Sequence, residues 1–355
     1  MKTQELYFTN HVEQTIDGII EKTAPDRVFI IVDSNTSEAV LPRLQASSHY
    51  LSNAYVIETK EGDGNKSVDS LTHIWKELSD NGATRHSLIV NIGGGVITDM
   101  GGFAAATFKR GIPFINVPTS LLANVDAAIG GKTGVNFNGL KNEIGAFCNA
   151  DHVIISTTFF NTLPHSELIS GYAELLKHAM ISSRENYNKV LKYNISEYMP
   201  ESLLEILKES VSVKARIVKE DPTENGIRKA LNFGHTAGHA FEELALSRQS
   251  PIPHGYAVAW GMVVAAILSH IRLGFPAEEV HRLSSFVKDN YGVFAINCKD
   301  YDYLLEYMSH DKKNASAGSI NFTLLKDIGD IEINCVISPD EIKSALDIYC
   351  DEMGC

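Results

Sequence analysis

The chain has 355 residues, so two domains are expected rather than one ordinary core. Charged residues make up 21% and hydrophobic residues 44%, which is typical of a soluble globular protein and not of a disordered or fibrous one. The net charge of −13 argues against a nucleic-acid or anionic-membrane partner, although a few clustered cations could still bind a small anionic substrate.

The amino terminus and the cysteines favour a cytoplasmic protein. The opening residues MKTQELYFTN contain no apolar stretch of a secretory signal. The longest apolar run, residues 257–268, is short for a membrane span and suits a buried helix. The five cysteines form no CxxC pair, which is typical of reduced thiols rather than of a disulfide framework or a cysteine metal site.

The first half of the sequence alternates strands with helices. Short β-branched apolar runs predict strands at residues 28–33, 54–58, 87–92, 114–117 and 152–155. Apolar residues at helical spacing predict a helix over residues 69–81. Continuous apolar strands separated by helices indicate a parallel sheet that is covered on both faces.

The second half is mainly helical. Apolar stripes or fully buried patterns predict helices over residues 167–181, 200–219, 237–245, 257–273 and 339–349. Residues 319–325 and 330–335 are expected to form a hairpin around Gly329. Pro164 disfavours helix just before it, so we expect a Rossmann-like α/β nucleotide-binding domain over residues 1–163 and a mainly α-helical domain over residues 164–355, with the site between them.

Glycines and hydroxyls follow two predicted strands. Gly94 and Gly95 lie in a GGG turn with Asp99 shortly after it, and such a turn lets backbone N–H groups approach a pyrophosphate. The spacing is not GxGxxG, so a tight turn that binds nothing remains an alternative. Thr119 and Ser120 mark a second helix start, where their hydroxyls could simply cap the helix. Two such turns after successive strands favour phosphate binding.

Glu174, His235 and His254 are candidate metal ligands. Zinc accepts carboxylate oxygen and imidazole nitrogen, and a catalytic zinc site usually has three protein ligands and an open position. The pattern alone does not single out these three, because Glu174 shares a helix face with His178 and His235 shares one with His239. The glutamate of HExxH is missing, which argues against a metalloprotease. Glycines flank both histidine segments and would permit close packing around them.

Several cations have surroundings that favour an anion-binding cluster. Lys214 occupies an apolar position on the stripe of the helix predicted from residue 200, where a lysine is costly unless it snorkels or meets an anion. Lys132 and Lys141 have glycine neighbours, and Arg228 precedes the HTAGH segment. A solvated face is the alternative for each. A substrate with both phosphate and carboxylate would use such a set.

Several long motifs occur in order along the chain. They are GGGVITDMGGFAAATFKRG, VPTSLLANVDAAIGGKTGVN, LKNEIGAF, GYAELLKH, LNFGHTAGHAFE and HGYAVAWGM. Together they strongly resemble 3-dehydroquinate synthase, over essentially the whole chain. The resemblance implies a lyase that converts 3-deoxy-D-arabino-heptulosonate 7-phosphate to 3-dehydroquinate and phosphate, with NAD oxidising C5 transiently and being regenerated in the same turnover.

The resemblance also implies roles for individual residues. Zinc, with cobalt as an alternative, would be bound by Glu174, His235 and His254. NAD would lie along Asp33, Asp63, Lys66, Gly94, Gly95, Asp99, Thr119, Ser120 and Asp126, with Lys141 and Thr162 nearby. The substrate phosphate would meet Lys132, Asn142, Asn232, His239 and either Lys312 or Lys313, and the carboxylate would meet Lys214 and Arg228. Arg110 would reach into the neighbouring subunit's site in a homodimer.

Three positions depart from the family pattern. The carboxylate near the NAD ribose is shortened to Asp63, and an arginine in the LPxRE pattern is replaced by Ser166. An acidic residue after the last metal ligand is replaced by Tyr256, a change that could tune the metal.

Alternative activities share parts of this pattern. Other sugar-phosphate cyclases use substrates without the carboxylate, so Lys214 and Arg228 favour the dehydroquinate reaction. A metal-dependent polyol dehydrogenase with net NAD turnover would not need the cation set. A non-catalytic descendant would be expected to lack metal ligands, and all three are present.

Overall fold

The computed structural model describes residues 3–309 and 320–355, which divide between two compact units. The first unit comprises Met1–Pro164 and Tyr198–Ala215, and the second comprises His165–Glu197 and Arg216–Cys355. The sequence places everything after residue 163 in the second domain, whereas residues 198–215 group with the first unit. The physical reason lies in contacts of this segment: Thr157 Oγ1 donates to the carbonyl oxygen of Pro200 at 3.1 Å, and Lys214 meets Asp126.

The described residues contain ten strands and thirteen α-helices. The strands are β1 (Glu5–Phe8), β2 (Val28–Asp33), β3 (Tyr55–Thr59), β4 (Leu88–Gly93), β5 (Phe114–Pro118), β6 (Lys132–Phe137), β7 (Leu140–Phe147), β8 (His152–Ile155), β9 (Ile320–Asp327) and β10 (Asp330–Ile337). The helices are α1 (Val12–Thr23), α2 (Ser34–Ala39), α3 (Leu41–Ser47), α4 (Val68–Asp80), α5 (Gly95–Thr107), α6 (His165–Met180), α7 (Arg184–Lys192), α8 (Pro200–Glu220), α9 (His235–Ser247), α10 (His254–Leu273), α11 (Ala277–Tyr291), α12 (Tyr301–Ser309) and α13 (Pro339–Met353).

The first unit is built on a parallel sheet of six strands in the order β1-β8-β5-β4-β2-β3. The central strands are apolar on both faces, and Ile30, Val90 and Ile115 are completely buried. The chain runs outward from β2 to β3 and then returns to place β4 on the other side of β2. This reversal creates a crevice outside the carboxyl ends of β2 and β4, where open α/β sheets bind ligands. The predicted parallel sheet is confirmed.

The antiparallel β6–β7 hairpin was not predicted. Its strands mix lysine, glycine and asparagine with apolar residues, so they lack the continuous apolar pattern of the main sheet. The turn is Asn138-Gly139, with φ of 49° and 78°. Positive φ at both positions is the requirement of a two-residue type I′ turn, for which Asn-Gly is the preferred pair. That dipeptide was therefore the available signal for the hairpin.

The second unit is helical, with the antiparallel β9–β10 hairpin that was predicted around Gly329. Its central helix, α10, is long and apolar enough to cross a membrane, but 72% of its apolar window is buried, as in the core helix of a soluble protein. The start of α10 lies directly on the backbone of α6. A Cβ atom on Gly255 would be 1.8 Å from the carbonyl oxygen of Ser170, so only glycine fits there. The glycines beside the histidines thus do permit close packing.

Candidate functional site

The predicted metal ligands come together in the second unit. Glu174 lies in the middle of α6 and is fully buried, whereas His235 and His254 are the first residues of α9 and α10. Their Nε2 atoms lie 3.4 Å and 4.0 Å from Glu174 Oε1. One ligand atom from each residue can be chosen so that all three lie within 4.8 Å of one another. Three helices therefore supply one donor each to one small volume.

Hydrogen bonds orient both imidazoles toward this volume. His235 Nδ1 lies 3.2 Å from the carbonyl oxygen of Phe233, and His254 Nδ1 lies 3.2 Å from Glu242 Oε2. Both partners are acceptors, so Nδ1 carries the proton in each neutral ring and Nε2 presents its lone pair to the site. Among the described residues, no hydrogen bond reaches the buried Glu174 Oε1. A carboxylate and two neutral imidazoles are a donor set for zinc or cobalt, and they fit a divalent cation.

Two residues beside this set were missed by the sequence reasoning. Lys177 is buried one turn after Glu174 and forms an ion pair with its Oε2. Glu242 lies in the HTAGHAFE segment and contacts His254, as described above. The i,i+3 spacing of Lys177 from Glu174 was a visible signal on the predicted helix. No comparable signal existed for Glu242, because its partner lies on another helix.

Tyr256 does not take over the contact with His254 that Glu242 makes. Its ring packs edge-on against Tyr291, with centroids 5.2 Å apart, and against Trp260 at 6.0 Å. Burial and the charge of Glu167 raise the pKa of its phenol. The acidic group beside the metal set is therefore supplied by α9 rather than by the residue after Gly255.

Of the other predicted residues of the second unit, His239 lies beside the donor set, and Arg228 and Asn232 have partners of their own. His239 lies on α9, with its ring centroid 5.5 Å from that of His235 and 6.0 Å from that of His254. Arg228 is buried, and its Nη1 donates to the carbonyl oxygen of Pro222 at 2.6 Å. Asn232 Nδ2 donates to Glu224 Oε1 at 2.9 Å. Lys312 and Lys313 lie outside the described residues.

The crevice of the first unit holds a second polar cluster. Gly94 precedes α5, and no side chain of the described residues caps this helix start, which leaves its N–H groups suited to an anion. Lys66 Nζ lies 2.6 Å from Asp99 Oδ2 and also contacts Asn142 Oδ1. Burial raises the pKa of the Asp99 carboxyl, whereas the Lys66 ammonium acts to lower it. The structure thus brings together three residues predicted from distant motifs.

Two carboxylates predicted to lie along NAD have structural partners. Asp33, at the carboxyl end of β2, accepts from Thr36 N at 2.8 Å and caps α2. Asp63 is half exposed, with Lys141 Nζ 3.8 Å from its Oδ2. The capping bond uses Oδ1 of Asp33, which fixes the side chain at the edge of the crevice.

Lys214, which was predicted to need an anion because it lies on an apolar stripe, forms an ion pair with Asp126. Its Nζ lies 2.5 Å from Asp126 Oδ1 and 2.6 Å from the carbonyl oxygen of the same residue. Asp126 belongs to a π-helical turn over Ala123–Ala127, which follows β5. The side chain of Lys214 is only 6% exposed, so the ion pair with Asp126 offsets part of the cost of removing the ammonium from water.

The remaining predicted residues of the first unit lie in loops, turns or strand ends. Ser120 Oγ accepts from Ala123 N at 3.2 Å, which is the capping role considered above, and Thr119 N donates to the carbonyl oxygen of Gly93 at 3.0 Å. Lys132 is exposed at the start of β6, and Thr162 Oγ1 donates to the carbonyl oxygen of Phe159 at 2.7 Å. Arg110 is exposed with a φ of 66°.

Comparisons with known proteins agree with this architecture. The family models described as 3-dehydroquinate synthase N-terminal and C-terminal match residues 56–170 and 171–314. The 3-dehydroquinate synthase of Parabacteroides distasonis is 47% identical over 354 residues, which cover 100% of both chains. That of Dehalococcoides mccartyi is 40% identical, covering 94% of this chain and 92% of the relative. A 2-deoxy-scyllo-inosose synthase complexed with carbaglucose-6-phosphate, NAD+ and Co2+ superposes with a TM-score of 0.83 at 25% identity, covering 96% and 95% of the two chains.

Proposed function

Because the chain belongs to the 3-dehydroquinate synthase family, we propose that it converts 3-deoxy-D-arabino-heptulosonate 7-phosphate to 3-dehydroquinate and phosphate. In this role it is a carbon–oxygen lyase of the shikimate pathway that acts in the cytoplasm. The observation that carries the proposal is the convergence of His235 Nε2 and His254 Nε2 on the buried Glu174 Oε1. The full-length identity to curated synthases selects the dehydroquinate reaction among the reactions that such a centre could support.

Zinc and NAD are the proposed cofactors. The metal would supply Lewis-acid polarisation of substrate hydroxyls, and NAD would supply transient oxidation at C5. Glu174, His235 and His254 would hold the metal, with Lys177 fixing one oxygen of the carboxylate. The turn before α5 would receive the pyrophosphate, with Lys66 and Asp99 beside it. The cofactors in the structure of the inosose synthase relative, NAD+ and Co2+, support this assignment.

The buried cations are the proposed contacts for the substrate carboxylate. Lys214 and Arg228 are each at most 5% exposed, and burying a cation is costly unless it meets anions. Lys214 already donates to two oxygens of Asp126, so a substrate carboxylate would compete with Asp126 for this ammonium. Lys132, Asn142, Asn232, His239 and Lys312 are the proposed phosphate contacts. Holding one substrate conformer between fixed charges is the main contribution of these side chains.

A homodimer is proposed as the active assembly. The β6–β7 hairpin exposes Phe137, Leu140, Ile144 and Phe147, each at least 38% accessible. Clustered exposed apolar side chains mark interaction surfaces. Arg110 is exposed beside Lys109 and Gly111, all three with positive φ, and would reach the partner's site.

Light scattering should give twice the chain mass for the wild type, and Phe137→Asp should shift the protein toward monomer.

The proposal is tested with the zinc-loaded protein, NAD and the heptulosonate 7-phosphate, following phosphate and dehydroquinate together. Equal release of both without accumulating NADH is expected. Cyclisation of sedoheptulose 7-phosphate instead would assign the chain to the sister cyclases. Steady NADH production from a simple polyol, with no phosphate release, would assign it to the polyol dehydrogenases.

A further inference from the structure

His254 belongs to two sets of metal-ligating side chains. The first set is Glu174, His235 and His254, described above. The second set is His239, Glu242 and His254, and its chosen donor atoms also lie within 4.8 Å of one another. Because an imidazole has two nitrogens on different edges of the ring, one histidine can serve two such sets.

The geometry divides the two nitrogens of His254 between the sets. Nε2 faces Glu174 Oε1 at 4.0 Å, whereas Nδ1 faces Glu242 Oε2 at 3.2 Å. His239 and Glu242 are three residues apart on α9 and therefore share one helix face. The ring of His239 is tilted by 32° to that of His254. Two imidazoles and one carboxylate are again a zinc-type donor set.

We propose that His239, Glu242 and His254 Nδ1 form a second divalent-cation site, which fills only at excess zinc and inhibits the enzyme. The inference rests on the proposed function in that the first set is taken as the catalytic one. The second site is the weaker, because Glu174 is fully buried while Glu242 and His254 are partly exposed. Its occupation also replaces the Nδ1 proton and its bond to Glu242, and places two dications on one imidazole.

The second cation would inhibit the enzyme because it would bind two side chains that have other roles in the site. It would take His239 from the proposed phosphate contacts, and it would take Glu242 from its hydrogen bond with His254. Loss of such an orienting bond typically costs about 10–100-fold in metal affinity or activity. High substrate concentration should relieve the inhibition, because phosphate and the second zinc would compete for His239.

The test counts zinc equivalents in metal-free protein by calorimetric titration and follows turnover over the same zinc range. The wild type should bind a tight equivalent and a second one at least tenfold weaker, with activity falling as the second fills. Glu242→Gln should lose the second equivalent. Glu243→Gln changes the adjacent, exposed carboxylate of the same helix and should behave like the wild type.

A second pair of variants separates this site from a purely orienting role of Glu242. Glu174→Gln removes the first set and should still bind one zinc weakly, whereas Glu174→Gln with Glu242→Gln should bind none. The proposal is overturned if the wild type binds a single equivalent and excess zinc leaves turnover unchanged. It is equally overturned if Glu174→Gln binds no zinc while remaining folded by circular dichroism. Failure of the proposed function would be distinct, since it would appear as absent turnover at one equivalent of zinc.

Discussion

The buried charged side chains of the two units have different kinds of partner. In the first unit each buried or half-buried cation of the site meets a carboxylate, as Lys66 does with Asp99 and Lys214 with Asp126. In the second unit, by contrast, one buried carboxylate faces Lys177 on one oxygen and two imidazole nitrogens on the other. The first arrangement is balanced by protein groups alone. The second is suited to a further cation, so its stability should depend on metal far more than that of the first.

Removing the shared carboxylate should have the largest effect. Glu174→Gln takes away one ligand and leaves Lys177 buried without its counter-charge, so zinc affinity should fall by more than about 100-fold, beyond what loss of an orienting contact costs. Turnover should fall to background. Equilibrium dialysis and the phosphate-release assay measure both quantities. Glu167→Gln, on the exposed start of the same helix, is the control. If Glu174→Gln bound zinc as tightly as the wild type, Glu174 would not be a zinc ligand.

Breaking the balanced pair should destabilise the first unit directly. Lys66→Met leaves the Asp99 carboxylate without its partner, and loss of one member of a buried ion pair typically costs about 3–5 kcal/mol. Urea unfolding should show this loss, together with weaker NAD binding. Lys60→Met alters an exposed lysine and should stay within about 0.5 kcal/mol of the wild type. Equal free energies of unfolding for the two variants would show that the Lys66–Asp99 ion pair does not stabilise the folded protein.

Removing the metal should lower the melting temperature of the second unit but not that of the first. A ligand at 100 times its dissociation constant stabilises the folded state by about 2.7 kcal/mol, which corresponds to several degrees in a unit of this size. Calorimetry of chelator-treated protein should therefore show the second unit melting earlier while the first is unchanged. Added zinc should reverse the shift. A uniform shift of one single transition would indicate that the two units unfold together.

The smallest effect concerns the segment that precedes Arg228. Burial alone would raise the pKa of Asp221, but backbone N–H groups of Gly226, Asn225 and Arg228 donate to it and leave the pKa lowered. A lowered pKa contributes stability above the unfolded value of about 3.9, and this is lost as the pH falls through the folded value. Asp221→Asn should thus melt slightly earlier than the wild type at pH 7, and the difference should shrink as the pH falls below the unfolded pKa of about 3.9. A difference that stays constant as the pH is lowered across the acid range would exclude this charge as its cause.

Five of the six strands of the main sheet and the helices α4, α6, α8, α9, α10 and α13 were predicted from their apolar runs and stripes. Strand β1 and the helices α1–α3, α7, α11 and α12 were not predicted. The β6–β7 hairpin was missed because Lys132, Gly134 and Asn136 interrupt its apolar residues. The stripe on α8 revealed that the helix is buried, but a stripe does not specify which unit covers it. Residues 198–215 were therefore expected in the other domain.

The site was predictable only as far as its motifs extended. Family motifs identified Glu174, His235 and His254, and the demand of Lys214 for an anion was read from its apolar neighbours. That this anion is Asp126 required the structure, because the two residues are far apart in sequence. Glu242 was missed for the same reason, since its contact with His254 joins the face of one helix to the start of another.

The contact between Gly255 and Ser170 has a consequence for how this protein can vary. Gly255 N donates to Ser170 Oγ at 3.0 Å, and the backbones are too close for any side chain at position 255. The close approach of α10 to α6, on which the spacing between Glu174 and His254 depends, is thus made by the two backbones together with the Ser170 hydroxyl. A variant that keeps α6 and α10 at this distance must therefore keep glycine at position 255, whatever changes occur in the side chains around it.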